Sequence, residues 1–253
     1  MHVNLTIDQG NSAAKMAIWR GNEPVDVVIE SNLTTHAVER FISRNNVSPA
    51  NAIYCSVAGN GEEFLKKLRR MIPNVMRLNS QLPLPLAIDY GTPGTLGTDR
   101  IAAAAGALSL HPGCPLFVVD AGTAVTYDYV TASGRFAGGN IAPGMTMRLE
   151  ALHRFTARLP RLEMPRELPA DRFLGTDTSS AMILGAVYGI VGALAYYRTR
   201  LPADTITVVT GGWATALAKI CDFDVDVQPN LVSAGLNSIL NFNLSNPKCC
   251  PTD

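Results

Sequence analysis

The sequence predicts an α/β fold built from two copies of one unit, and three observations carry that expectation. The stretch Phe117 to Asp128, Phe-Val-Val-Asp-Ala-Gly-Thr-Ala-Val-Thr-Tyr-Asp, is a short apolar run ending in an acidic residue and then Gly-Thr. It reads as a buried strand whose tip turns sharply into a second strand, with Gly122 supplying the turn. Leu5-Thr6-Ile7-Asp8-Gln9-Gly10-Asn11-Ser12 repeats the pattern near the N-terminus and again leads into a strand-like run, Ala13 to Trp19. Around these hairpins strands alternate with helices, and two copies of one hairpin about half a chain apart indicate a duplicated architecture.

Such a tip suits a phosphate and its metal. Glycine lets backbone N–H groups approach an anion, Asn, Ser and Thr donate further hydrogen bonds, and a carboxylate holds a cation or its water shell. A single Asp-x-Gly is more simply an ordinary tight turn; the matching second copy favours the cradle.

The balance of 21 Lys and Arg against 21 Asp and Glu gives no argument for nucleic acid or an acidic membrane surface as a partner. Hydrophobic residues make up 47% of the chain, enough for an extensive core in a soluble globular protein. Cys55, Cys114, Cys221, Cys249 and Cys250 show no zinc or disulfide spacing and read as free thiols of a cytoplasmic protein. No secretion signal is read at the N-terminus. Thr178 to Tyr197 carries no charge and approaches membrane-spanning length, but its Gly, Ala, Thr and Ser content favours a helix buried in a core or a subunit interface.

In chain order, Val3, Leu5 and Ile7 alternate with Asn4 and Thr6, the period of a strand with one buried face, and Lys15 lies on the return strand. Val25 to Ile29 and Ala52 to Val57 predict further strands, separated by a helix opening at Thr34 or Thr35 with Ala37, Val38, Phe41 and Ile42 on one side. After Gly59-Asn60-Gly61, Glu62 to Met71 is an amphipathic helix. Asn79 to Asp99, rich in Pro and Gly, reads as an irregular functional loop. It ends in Gly97-Thr98-Asp99-Arg100, directly before an Ala-rich helix, Ile101 to Leu108. At that helix start Asp99 reads equally as a cap and as a general base. Gly138-Gly139-Asn140 and Pro143-Gly144 predict a second turn-rich segment, followed by a helix. Thr205 to Val209 reads as a strand leading through Thr210-Gly211-Gly212 into a helix from Trp213 to Ile220, a surface for a nucleotide base or ribose or simply a strand-to-helix turn. From Asn246 on the chain reads as a frayed tail.

Taken together, Asp8-x-Gly10-Asn11-Ser12, Tyr90-x-x-Pro93 to Gly97-Thr98-Asp99-Arg100, Asp120-x-Gly122-Thr123-Ala124, Gly138-Gly139, Thr178 with Met182 and Gly185, and Thr210-Gly211-Gly212 resemble the ordered motif set of type III pantothenate kinases. The resemblance implies the fold of the actin, Hsp70 and sugar-kinase superfamily. That is two ribonuclease-H-like domains, expected here at residues 1–115 and 116–253, with an interdomain cleft, in a homodimer. It implies transfer of phosphate from ATP to pantothenate at the first committed step towards coenzyme A. Asp8, Gln9, Gly10, Asn11, Ser12, Ala13, Ala14 and Lys15 would hold the ATP phosphates, Asp8 also the associated Mg2+, and Thr123 would complete the cradle. Asp120 would bind a monovalent cation, potassium or ammonium. Tyr90, Gly97, Thr98, Asp99, Arg100 and Thr178 would line the pantothenate site, with Asp99 as the general base and Arg100 a bidentate partner for the pantothenate carboxylate. Two residues depart from the family pattern. Asn4 and Thr6 make the first strand unusually polar, and Phe155 precedes Thr156-Ala157 where a basic residue is usual. His2, His36, His111 and His153 lie outside the motifs and are read as non-catalytic.

Two other functions fit parts of this pattern. The hairpins alone would serve a kinase of the same superfamily acting on a sugar or small acid; the Tyr90 to Arg100 segment argues against it. Proteins of this family were also described as accessory regulators of transcription. Retention of Asp8, Asp99, Arg100 and Asp120, with no basic stripe for DNA, favours an enzyme.

Overall fold

The computed structural model describes residues 2–11, 13–56, 61–165, 167–168 and 172–246 of the 253. Ser12, Val57, Gly59, Asn60, Cys249 and Cys250 therefore lie outside the described residues. The chain falls into two compact units, Met1–Pro112 with Gly134–Phe136 and Leu231–Asp253, and Gly113–Ser133 with Ala137–Asn230.

The first unit opens with a meander of β1 (Val3–Gln9), β2 (Ala14–Arg20) and β3 (Glu23–Glu30), then α1 (Thr35–Arg44), β4 (Asn51–Ser56), α2 (Glu62–Met71) and β5 (Asn74–Arg77). The sheet runs β3-β2-β1-β4-β5, with β4 parallel to β1 and β5 parallel to β4. Thr34 caps α1, its hydroxyl accepting the Ala37 N–H at 3.1 Å, as its position before the apolar run predicts. The Pro- and Gly-rich segment is less irregular than expected. It holds a two-residue strand, β6 (Ala87–Ile88), and a 3-10 turn at Pro93–Thr95, before α3 (Thr98–Leu110). Strand β6 pairs with Arg135 and Phe136.

The second unit repeats the plan. It contains β7 (Leu116–Ala121), β8 (Ala124–Val130), β9 (Arg135–Pro143, from Ala137 on), α4 (Met145–Phe155), α5 (Thr178–Arg198), β10 (Ile206–Thr210), α6 (Ala214–Ala218) and β11 (Asp226–Val227). Its strands lie in the order β9-β8-β7-β10-β11, with β10 parallel to β7 and β11 parallel to β10. That is the succession of the first sheet, strand for strand, so the duplication expected from the two hairpins extends to whole sheets. The expectation of turns at Gly138-Gly139-Asn140 is overturned, since all three residues belong to β9. Pairing with β8 overrides their weak strand propensity, and only Gly138, at φ 126°, departs from ordinary strand geometry.

Helix α5 has the length and apolarity of a membrane span, with mean hydropathy 1.6 in its most apolar window. One side of it is core. Val187, Ile190 and Leu194 pack with Phe117, Val119 and Tyr127 of the second sheet. Its start is fixed by a capping box, Asp177 accepting from the Ser180 N–H at 3.0 Å while the Ser180 hydroxyl reaches back.

The last described element is α7 (Leu231–Ser245), which sequence reading missed and which places residues beyond 230 with the first unit rather than with the expected 116–253 domain. It lies against α3 at a backbone-to-backbone crossing: a Cβ on Gly235 would overlap the Ala102 carbonyl, and one on Gly106 the Leu231 carbonyl. The alanine run of α3 makes that approach possible.

Strand alternation then explains the polar first strand. Leu5 and Ile7 face the core shared with α1 and α2, so Asn4 and Thr6 face the opposite side, towards α7. Asn4 donates to Asn237 at 2.9 Å and to Asn241 at 2.8 Å, both on α7. Across the sheet Asn51 donates to Asn4 at 3.1 Å and Asn74 to Asn51 at 3.0 Å, at positions in register on β1, β4 and β5. Thr6 accepts the Trp19 indole N–H at 3.0 Å. Polarity here is a satisfied ladder, each bond stabilising by about 1 kcal/mol net, whereas an orphaned member costs about 1–3 kcal/mol. Asn51→Ala, which leaves the buried Asn4 side-chain oxygen without its donor while the exposed Asn74 turns to water, is expected to destabilise the fold by about 1–3 kcal/mol in denaturant unfolding, with α7 loosened first in hydrogen exchange.

Candidate active site

In the first unit the candidate groups converge on the ends of β1 and β4. Asp8 is the penultimate residue of β1, paired across the hairpin with Lys15 and in parallel register with Cys55 of β4. The tip closes through Gly10 N–H donating to the Ala13 carbonyl at 3.0 Å, leaving Asn11 exposed and Ala14 buried as the first residue of β2. Gln9 Oε1 accepts from the Tyr54 hydroxyl, and more distantly from Ser56 at 3.5 Å, so the strand end is braced by the neighbouring strand.

The start of α3 joins this place through one contact. The Cys55 thiol donates to Thr98 Oγ1 at 3.1 Å. Burial first, with the Asp8 and Asp99 carboxylates adding to it, pushes that thiol far above its usual range, although the Thr98 bond acts in the other direction. The thiol therefore stays protonated as a donor, and Asp8 and Asp99 both lie within its electrostatic reach. Asp99 stands in the first turn and is not the N-cap; that position is Gly97, which offers no side-chain cap. Asp99 Oδ1 accepts the Arg100 N–H at 2.9 Å and folds back over Gly97, where a Cβ would strike it. A side chain at position 97 would displace the Asp99 carboxylate from this place.

Arg100 is only 5% exposed. Its guanidinium lies 5.8 Å from the Tyr90 ring centroid and 5.5 Å from that of Phe136, with the two rings edge to face at 6.1 Å. Each such contact contributes about 0.5–2 kcal/mol and fixes the plane of the fork. Phe136 was not anticipated, because only the pairing of β6 with β9 brings it there.

In the second unit, Asp120 on β7 lies in register with Thr210 on β10. Gly122 N–H closes the tip onto Ala124 at 3.0 Å, and the exposed Thr123 accepts the Gly144 N–H at 3.1 Å through its carbonyl. Gly211, at φ 92°, passes so close that a Cβ would fill the space beside Asp120 Oδ1 and the Ala121 carbonyl. Gly212, Trp213, Thr215, Ala216 and Lys219, with Glu167, line a cavity of about 420 Å³ at the following helix. Thr178 is the exposed first residue of α5. Phe155 is 81% exposed at the end of α4, beside a largely apolar groove with Leu152, Arg148 and Gly185.

No cluster of three or more His, Cys, Asp or Glu among the described residues could hold a metal alone. Single carboxylates at glycine-rich tips instead suit a cation that arrives with phosphate and keeps water in its shell.

Against known proteins, the family model described as type III pantothenate kinase matches residues 4–200. The type III pantothenate kinase of Porphyromonas gingivalis strain W83 is 37% identical over 247 residues, covering 96% of this chain and all of that protein. That of Bacteroides fragilis strain ATCC 25285 is 37% identical over 245 residues, covering 95% and 98%. Among solved structures, a Campylobacter jejuni protein described as a Baf family transcriptional activator superposes with a TM-score of 0.64 at 22% identity, covering 96% of this chain and 99% of that one. Component A of the Acidaminococcus fermentans (R)-2-hydroxyglutaryl-CoA dehydratase does so at 0.57 and 13% identity, covering 98% and all of that chain. These likenesses show the fold, that of actin-like ATPases and sugar kinases with two ribonuclease-H-like domains.

Proposed function

Because the chain belongs to the type III pantothenate kinase family, we propose that it transfers the γ-phosphoryl group of ATP to pantothenate, giving 4′-phosphopantothenate, with Asp99 as the general base. The supporting observation is that one buried thiol joins a phosphate-side carboxylate to a candidate base in the same unit: Cys55 is the in-register neighbour of Asp8 and donates to Thr98, the residue before Asp99. Phosphoryl transfer through a loose transition state needs alignment and charge neutralisation more than covalent help.

In the first unit, the Gly10 to Ala14 tip and Lys15 bind the ATP phosphates, and Asp8 meets the accompanying Mg2+ through water or phosphate. In the second, Thr123 contributes a hydroxyl, the Gly212–Lys219 cavity takes the base or ribose, and Asp120, beside Gly211, would hold potassium or ammonium. When bound, the cations would supply positive charge against that of the transferring group. Tyr90, Gly97, Thr98 and Thr178 bind pantothenate. Arg100, its plane held by Tyr90 and Phe136, pairs with the pantothenate carboxylate in a bidentate fork that Lys could not reproduce. Asp99 takes the proton from the substrate hydroxyl as the oxygen attacks phosphorus. The new O–P bond forms while the bond to the bridging oxygen breaks, its electron pair leaving with ADP.

The working form is a homodimer. Only 39% of the most apolar window of α5 is buried, and Phe155 on α4 is 81% exposed, an apolar surface that a second copy would cover. The free thiols of Cys55, Cys114 and Cys221 go with a cytoplasmic location.

Three outcomes follow. Asp99→Asn should lower kcat at least a hundredfold while ATP binding by calorimetry stays near wild type; near-normal turnover would exclude Asp99 as base. Asp120→Ala should abolish the stimulation of turnover by potassium over sodium, and an unchanged response would move the cation elsewhere. Sedimentation at micromolar concentration should give the dimer mass; a monomer would contradict the assembly.

A further inference from the structure

We propose that Cys55 is a positioning residue for phosphoryl transfer, its thiol pinning the first turn of α3 to the strand that pairs with the phosphate-binding hairpin. The inference rests on the reading of Asp99 as base, and three features of the first unit lead to it.

The first turn of α3 has no side-chain N-cap. A helix start leaves several N–H groups without intrahelical partners, and a side-chain cap ordinarily satisfies one and fixes the entry of the chain. At α3 the N-cap is Gly97, which makes no side-chain cap, and a side chain there would push the Asp99 carboxylate out of its position. The site therefore gives up the usual cap to seat its base.

Cys55 supplies an anchor of another kind from β4: it satisfies no helix N–H, but its thiol holds the Thr98 side chain. It is fully buried, on the face of β4 shared with Asn51 and Ile53, and its thiol reaches Thr98 Oγ1 at 3.1 Å, one residue before Asp99. The same residue is the in-register neighbour of Asp8 on β1. Spacing between the phosphate-side carboxylate and the base then passes through two short links, the β1–β4 ladder and the Cys55–Thr98 bond. A displacement of about 1 Å at such a place costs up to about a hundredfold in rate.

The residue type fits. A buried amide would demand further partners, whereas a thiol is a small hydrophobe that donates one weak hydrogen bond without penalty for its unused sulfur. An acidic side chain would repel both neighbouring carboxylates.

The test compares Cys55→Val, apolar and without a donor, with Cys55→Ser, which keeps the donor. Steady-state kinetics with ATP and pantothenate should show kcat down about tenfold in Cys55→Val with KM for ATP unchanged, and most of it restored in Cys55→Ser. In a Thr98→Ala background Cys55→Val should cause no further loss. A space-filling role predicts the reverse order, with valine tolerated and serine harmful, and that result, or additivity with Thr98→Ala, would overturn the proposal. A second readout needs no acceptor. The Arg100 and Ile101 amides, hydrogen-bonded in the free protein, should exchange faster in Cys55→Val than in wild type or Cys55→Ser. Should Cys55→Val fail to fold, Cys55→Ala is read by the same two measurements. Altered exchange in a protein that does not phosphorylate pantothenate would keep the anchor and remove the substrate; normal exchange and turnover in every Cys55 variant would remove the anchor and keep the function.

Discussion

The parallel pairing of β1 with β4 is the constraint from which the first unit is built. One register sets Asn4 against Asn51, Thr6 against Ile53 and Asp8 against Cys55. A slip of one residue would turn every one of these side chains to the opposite face, placing Leu5 and Ile7 against α7 and the asparagines among the side chains of α1 and α2. The asparagine ladder penalises that slip, because its members find partners only in the native register. Stability at one end of the strand and chemistry at the other are thus consequences of the same alignment.

The duplication gives two hairpins different equipment on the same backbone plan. At β1–β2 the acidic residue faces a lysine across the ladder, suited to phosphate with a divalent ion. At β7–β8 the acidic residue has threonines, Thr126 and Thr210, as its cross-strand neighbours and a glycine pressed beside it. Equal folds with unequal donors are what a phosphotransferase needs, since the charges to be neutralised differ along the triphosphate.

Much of this was legible in the sequence because it is local. Alternation of period two, the acidic-Gly tips, the threonine cap of α1 and the amphipathic α2 all declare themselves within about ten residues. What escaped is long-range. Helix α7 carries no charge pattern to mark it, and the partner it packs on, through the crossing of Gly235 on Gly106, is more than a hundred residues away in sequence. Asn4 and Thr6 looked like a fault in an aliphatic strand until Asn237 and Trp19 supplied their partners. Glycines 138 and 139 suggested turns because propensity cannot register a neighbouring strand. In the site, the hairpins and Asp99 could be read directly. Phe136 beside Arg100 and Cys55 beside Thr98 depend on strand pairings that no local pattern encodes, although the parity of β4 places Cys55 on the face of Asn51.

The central claim is that this arrangement serves one acceptor. The most direct measurement is phosphorus NMR of the purified protein with ATP, Mg2+ and pantothenate in potassium buffer, run beside the same mixture with a panel of sugars in place of pantothenate. Stoichiometric ADP and a phosphomonoester on the pantothenate primary hydroxyl, with the sugars unchanged, is the predicted result. ATP left intact with pantothenate, or a phosphorylated sugar, would contradict it.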